Sequence, residues 1–484
     1  MSHGTPTPRL GLWLVLLSLV VAAMPNGAAA ADPTPNEPPL AISGLGPQQP
    51  CELLVEYQPQ LAVNPTDPGH LVAAWIEGIA GAIVAAASFD GGLTWRQSLV
   101  GAGTCSAGTR EDPRVAFAAD GRTVYIASLC AGECVESPTG IDLVVVRRSV
   151  DGGLTWDGLP PAVVASRLSE TCADACLNAE LALTTHPSQP GTAYLIWSQH
   201  NSAVPSTVLG AWVAWPAYVS MTSDGGATWT PPRVAYWPEP GAYPLLHDIR
   251  VLGDGRLLDV FVEYAAGYAN QRSIESTDGG QTWTTDPMTI GAALDVKAAD
   301  LELRVKAQAA VKPAFDVAAD RTAYVAWQDV EASAIVLRRL PPGATKWSEE
   351  RFVVASRSHV CGSVRMSDQP FQPMLAARSD GTVAVSYYDF RFDCPGDLEL
   401  TTTFWLAWSK DRGRSWTESL IGGPFDLRDA AVDPLTPAYL LGEVNGLAAA
   451  GDAFLTTFVQ SGSASAEPPQ DIFFARQAVP IADD

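Results

Sequence analysis

Seven times along the chain an apolar run, a short polar turn and a second apolar run follow one another, the second run often ending in an aromatic residue. The first pair is Leu61-Ala-Val63, a turn through Asn64 to His70, and Leu71-Val-Ala-Ala-Trp75. The others run Val115 to Ser128, Leu181 to Trp197, Val251 to Tyr264, Phe315 to Trp327, Leu375 to Tyr388 and Leu447 to Val459. Apolar runs of this length bounded by turn residues read as buried strands. Their recurrence reads as one unit repeated around a ring rather than as several independent domains. The seventh pair is followed only by the strand Asp471 to Gln477, so its unit lacks an outer strand. A segment near the N-terminus, Leu40 to Leu45 or Leu53 to Tyr57, is expected to fill that gap and close the ring.

Between the pairs lies a second repeat. Ser88-Phe-Asp90-Gly-Gly92-Leu-Thr94-Trp95 returns with Asp151 and Trp156, with Asp224 and Trp229, with Asp278 and Trp283, and with Asp411 and Trp416. All five copies fit (S/T)-x-D-x-G-x-(T/S)-W without a gap. The Asp can accept hydrogen bonds from the N–H groups of its own turn, and the Gly supplies a positive φ. The Trp opens the return strand as a large apolar anchor. From Asp90 the first four copies are spaced by 61, 73 and 54 residues, and 133 residues then separate Asp278 from Asp411. That last interval is close to two periods of about 63 residues, the length of a four-stranded blade with its loops. A decayed copy is expected between them at Leu337 to Trp347, which keeps Gly343 and Trp347 but not the Asp.

This motif is the Asp-box, or BNR, repeat, and the chain resembles the sialidase-like β-propellers that carry it. The resemblance covers about Tyr57 to Gln477. It implies an all-β propeller of four-stranded antiparallel blades with the boxes in the turns between strands c and d. The count of inner hairpins gives seven blades; the alternative is the six-bladed ring of catalytic sialidases. It also implies export and a glycan-related history. Catalysis is a separate matter, because fold and function part company. Catalytic sialidases carry Arg-Ile-Pro on the first strand, whereas this strand begins Tyr57-Gln58-Pro59-Gln60. Family enzymes use three Arg against the substrate carboxylate, a Tyr nucleophile paired with a Glu, and an Asp acid/base. Arg114 and Arg250 match two of the Arg in type. Glu263 and Tyr264 are neighbours on one strand, so they point to opposite faces and cannot act as the pair. Tyr387 or Tyr388 is a possible substitute that no motif supports.

Composition changes the picture in two places. A net charge of −23 argues against nucleic acid and anionic membrane surfaces, and is otherwise the mark of a soluble chain. Arg9, the uncharged run Leu10 to Met24 and the small residues up to Ala31 read as a signal peptide (1–31). Residues 32–50 read as a Pro-rich linker and 51–484 as the propeller. No second apolar run is long enough to span a membrane. The expected product is secreted or periplasmic, and monomeric.

Eight cysteines in an exported chain read as disulfides. All fall on the face away from the boxes. The expected pairs are Cys51–Cys105 and Cys361–Cys394, with two more joining Cys130 and Cys134 to Cys172 and Cys176 in an order the sequence leaves open. A zinc site built from the two C-x-x-x-C pairs is the alternative.

The same face collects the long loops, where binding residues usually lie. Aligning the starts of the inner strands gives a ring of Gln58, Asp112, Asn178, Asp248, Lys312, Gln372 and Glu443. A second level gives Gln60, Arg114, Glu180, Arg250, Ala314, Met374 and Gly446. Asp112, Glu180 and Asp248 are the candidate catalytic carboxyls. Arg114, Arg250, Lys312 and Glu263 are the candidate ligand contacts, the Arg residues suiting a carboxylate. Trp212 and Trp215 are candidate sugar platforms or caps on their own loop. The competing account is that these charges neutralise one another at a solvated channel mouth. The six His residues show no metal-ligand spacing, and no motif calls for a metal or cofactor. Three functions stay open: an exported module binding a glycan or other ligand on its loop face, a glycoside hydrolase with a divergent centre, and a scaffold for protein partners.

Overall fold

The computed structural model describes residues 1, 37–43, 55–78, 82–100, 110–130, 143–156, 158–165, 176–201, 215–295, 311–355, 357–361, 364–394, 399–432, 438–462 and 470–481. Within them the chain builds seven four-stranded antiparallel blades, lettered a to d from the axis outwards. Inner strands are Glu56–Asn64, Arg110–Phe117, Cys176–Thr185, Ala242–Val251, Ala314–Val317, Phe371–Ala377 and Gly446–Ala450. The seven-bladed β-propeller is thus the architecture, and the apolar pairs are strands a and b of each blade. Trp75, Trp197 and Trp327, at the ends of b strands, are almost wholly buried between blades. No helix among the described residues is long and apolar enough to cross a membrane.

Blade seven is composite. Its strands Gly446–Ala450, Ala453–Ser461 and Gln470–Ala478 are completed by Leu40–Ala41, with Leu40 opposite Phe474. The first of the two candidate segments therefore supplies the outer strand. The second feeds blade one, Val55 bridging Gln470 in parallel on the way. Glu56 is buried at this seam, within reach of Ser43 and the Ile472 N–H.

All five aspartate turns have one hydrogen-bond pattern. In the first, Ser88 Oγ donates to Asp90 Oδ1 (2.8 Å) and the Gly92 N–H donates to Ser88 Oγ (2.9 Å). The Thr94 N–H and hydroxyl then donate to the two Asp90 oxygens at 2.9 and 2.6 Å. The hydroxyl of Thr94 leads the groups that hold the Asp90 carboxyl down at about 2. In the fifth turn Arg412 adopts φ 63°, where the other four have Gly. Turns also lock onto the neighbouring blade: a Cβ on Gly92 would come within 2.2 Å of the Phe474 ring, and Trp95 meets that ring edge-on at 5.2 Å. In the decayed copy Gly343 keeps its positive φ, and Trp347 donates from Nε1 to Ser273 Oγ in blade four. Asp151→Ala removes acceptors for Ser149, Leu154 and Thr155. It is expected to cost about 1–3 kcal/mol, read as a lower denaturant midpoint with an unchanged slope.

The Cys361–Cys394 disulfide is present, with Cα atoms 5.5 Å apart. It ties the hairpin Ser358–Cys361/Val364–Ser367, which precedes blade six, to the loop after strand b of that blade. Cys130 is also in a disulfide. The proposed Cys51–Cys105 pair, and Cys134 and Cys172 of the other two bridges, lie outside the described residues, as do the signal segment and most of the linker.

Candidate functional site at the propeller axis

The inner strands are not regular. Register breaks fall between Tyr57 and Gln60, Glu111 and Arg114, Ala179 and Ala182, Leu245 and Asp248, and Phe371 and Met374. At each break one residue is left-handed: Gln58 (φ 60°), Asp112 (53°), Glu180 (55°), Leu246 (59°) and Gln372 (53°). Blade seven has Gly442 (88°) ahead of Glu443, and blade five has Lys312-Pro313 just before its inner strand. Bulges re-aim side chains and gather near functional sites. A non-Gly residue held at positive φ costs on the order of 1–3 kcal/mol, so five in equivalent places demand compensation.

The compensation is a buried polar knot. One carboxylate oxygen from each of Asp112, Glu180 and Glu443 lies within 4.8 Å of the others. Gln58 donates from Nε2 to Asp112 Oδ1 at 2.7 Å, and Gln372 donates to the Gly442 carbonyl at 2.8 Å. Lys312 and Arg114, each less than a tenth exposed, bring two positive charges to the same group. Burial pushes the Glu180 carboxyl far above the carboxylate range. Glu443 and Asp112 push it further, and Lys312 and Arg114 pull back only part of the way. Burial and Arg114 lower Lys312, against the pull of the three carboxyls. Lys312 Nζ, Arg114 Nη2 and Glu180 Oε2 have no hydrogen-bond partner among the described residues. Three converging carboxyls could share a cation, but the two basic side chains already supply the countercharge.

The bulges also settle the register. The left-handed ring takes Glu180 and Leu246, where the sequence alignment placed Asn178 and Asp248. Asn178 accepts from Trp197 Nε1 at 3.1 Å. Asp248 sits one step further along its strand and accepts from Arg250 Nη1. Burial raises Asp248, and Arg250 and Lys312 oppose the rise. Arg250 also reaches Asp316 at 3.4 Å, so Asp248, Arg250 and Asp316 form a second group beside the first. Glu263 stands apart, accepting from the Tyr236 hydroxyl (2.5 Å) and Arg272 Nε (3.2 Å). Trp212 lies outside the described residues. Trp215, half-buried, packs on Tyr243 at 4.6 Å, and Tyr243 stacks on Tyr264 at 5.2 Å. Burial and then the charge of Glu180 raise the Tyr264 hydroxyl, which places this aromatic run next to the knot.

Two constellations escaped the sequence reading. His247, one of the six His residues without metal-ligand spacing, faces Ser198 Oγ (2.9 Å) from Nε2 and Asp259 Oδ2 (2.8 Å) from Nδ1. The order is that of a hydrolytic triad, yet all three residues are at most 1% exposed. The Ser198 hydroxyl is spent on the Pro244 carbonyl. The chain is a clamp between blades three and four. Tyr387, meanwhile, donates to Glu418 at 2.9 Å and accepts from Arg391 at 3.0 Å, and Arg391 lies 3.7 Å over Trp405. Tyr387 is fully buried in the apolar cluster between blades five and six. Tyr388 is spent on the Val459 carbonyl. Neither Tyr is placed as a nucleophile at the axis.

No protein-family model and no curated protein matches the sequence. Among solved structures the chain is similar to a Dyadobacter fermentans protein of unknown function, at 12% identity and TM-score 0.44 over 89% of this chain and 99% of that one. It is similar to Trypanosoma rangeli sialidase at 12% identity and TM-score 0.42, over 79% of this chain and 56% of the sialidase. It is also similar to Penicillium chrysogenum alpha-L-arabinanase complexed with arabinobiose, at 13% identity and TM-score 0.42, over 89% and 99%.

Proposed function

We propose that the chain is an extracytoplasmic propeller, residues 51–484 behind a signal peptide (1–31) and a linker (32–50), that binds a glycan at the loop-face end of its axis. The observation that carries this reading is the ring of left-handed, non-glycine residues that converges polar side chains on one buried knot. Fold stability alone gives no reason to hold five such residues in one ring. Beside the knot, Trp215 on Tyr243 offers the aromatic surface that a sugar ring stacks on. A disulfide fits an oxidising compartment.

A second reading rests on Glu180. A carboxyl whose hold on its proton is strengthened by burial, beside a second carboxyl that accepts a hydrogen bond from Gln58, is the kind of pair that glycoside hydrolysis uses. One experiment separates the two. The protein is screened on a glycan array and on aryl glycosides, sialosides included, alongside Asp112→Asn, Arg114→Ala and Trp215→Ala. Glycan binding without turnover, weakened about tenfold or more by Trp215→Ala, is expected of the module. Turnover that Asp112→Asn abolishes establishes the hydrolase instead. Neither binding nor turnover on any glycan rejects both.

A further inference from the structure

Beyond the knot, on the side of the aspartate turns, the axis holds a chamber of about 450 Å³. Its lining starts at Gln60, Arg114, Asp248 and Lys312 and runs down the inner strands to Pro65, Ala119 and Pro187, which lie in the turns between strands a and b. Gln58, Asp112, Glu180, Gln372 and Glu443 take no part in the lining, so the knot stands between the chamber and the loop face. Gly442 presses on Gln58 so closely there that an added Cβ would come within 2.5 Å of its Cα. We propose that this chamber is a ligand site separate from the loop-face site, open toward the aspartate turns, and that it takes a small carboxylate carrying an apolar tail.

Size and walls argue for a ligand. The volume falls in the range of small-molecule sites. Small or apolar side chains such as Ala62, Ala116, Ala182, Met374 and Leu447 give it width and a greasy surface. Charge argues for the head group. The ionisable residues of the lining are Arg114, Arg250, Lys312, Asp248, Asp316 and His247. His247 is committed to Ser198 and Asp259, and Asp248 and Asp316 both accept from Arg250. Arg114 and Lys312 also answer the carboxyls of the knot, yet Arg114 Nη2 and Lys312 Nζ have no hydrogen-bond partner among the described residues. Two buried donors without acceptors, among carboxylates already in place, suit one carboxylate better than a phosphate dianion. Arg250 uses Nη1 and Nε on Asp248 and Asp316, and its side chain is still 32% exposed. The remaining Nη2 can donate to a carboxylate placed at the polar end, and the tail then points along the apolar walls.

The test uses the purified full chain and three probes of one shape: hexanoate, hexanamide and hexylamine, followed by calorimetric titration and ligand-observed NMR. Hexanoate is expected to bind at least about tenfold more tightly than hexanamide, and hexylamine not at all. Arg250→Gln and Ala116→Phe, the second filling the chamber from a half-buried wall position, should each abolish hexanoate binding. Should Arg250→Gln fail to fold, Ala116→Phe decides alone. Trp215→Ala should leave hexanoate binding unchanged, which separates this site from the loop-face reading. No hexanoate binding at millimolar concentration, equal binding of the amide, or full binding by Ala116→Phe overturns the proposal.

Discussion

Replacing Lys312 by Met is expected to lower the unfolding free energy by about 3–5 kcal/mol at pH 7, the cost of leaving buried charge without its partner. Met keeps the length and apolar stem of Lys, so the loss reports the ammonium group. With it gone, Arg114 alone faces Asp112, Glu180 and Glu443. The sign of the pH dependence follows from the direction of the Glu180 shift. A carboxyl whose folded pKa is raised gives its full stabilisation below the unfolded value near 4.5, and loses it as pH climbs through the folded value. Without Lys312 every carboxylate left in the knot is costlier, so the deficit should be larger at pH 8 than at pH 5. Denaturant unfolding of both proteins at the two pH values measures it. A variant as stable as the parent at both would mean that Lys312 carries no charge in the folded protein.

The second large effect is at the seam of the ring. Burial raises the Glu56 carboxyl to about 8, and Asp471 and Glu77 add to the rise against hydrogen bonds from Ser43 and Ile472. The folded protein therefore holds a proton there that the unfolded chain releases near 4.5. Stability from this group is complete below pH 4.5 and drains away between 4.5 and 8, by roughly 5 kcal/mol at 1.36 kcal/mol per pK unit. Glu56→Gln keeps an oxygen to accept the Ile472 N–H and removes the ionisation. Its thermal midpoint should equal the parent's at pH 5 and exceed it clearly at pH 8.5. If the parent's midpoint is flat across that interval, the raised carboxyl is not there.

The blades were legible in the sequence because their cause is local. Each apolar pair carries its own strand pattern, and each aspartate turn carries its own hydrogen-bond donors and acceptor. The closing strand was legible to within two segments, Leu40 to Leu45 or Leu53 to Tyr57, since a fourth strand was missing and few apolar segments remained to supply it; the structure uses the first. The polar knot was harder. No glycine marks Gln58, Asp112, Glu180, Leu246 or Gln372 as left-handed, and a bulge moves the facing of every residue after it. Asn178 and Asp248 were therefore placed where Glu180 and Leu246 belong. A signal did exist: Pro59, Pro113, Pro313 and Pro373 follow four of the seven ring positions, and a proline inside a strand pattern marks a bulge. The Ser198–His247–Asp259 clamp was out of reach, because its members come from two blades and meet only when those blades dock.

The composite blade has a consequence for the chain's behaviour when it is trimmed. Loss of residues 38–43 would strip the last strand of its partner, laying bare the Phe473 and Phe474 segment together with a row of unsatisfied amides. Such an edge invites a matching segment from another molecule, so a clipped preparation would pass from separate rings to strand-exchanged pairs or larger aggregates.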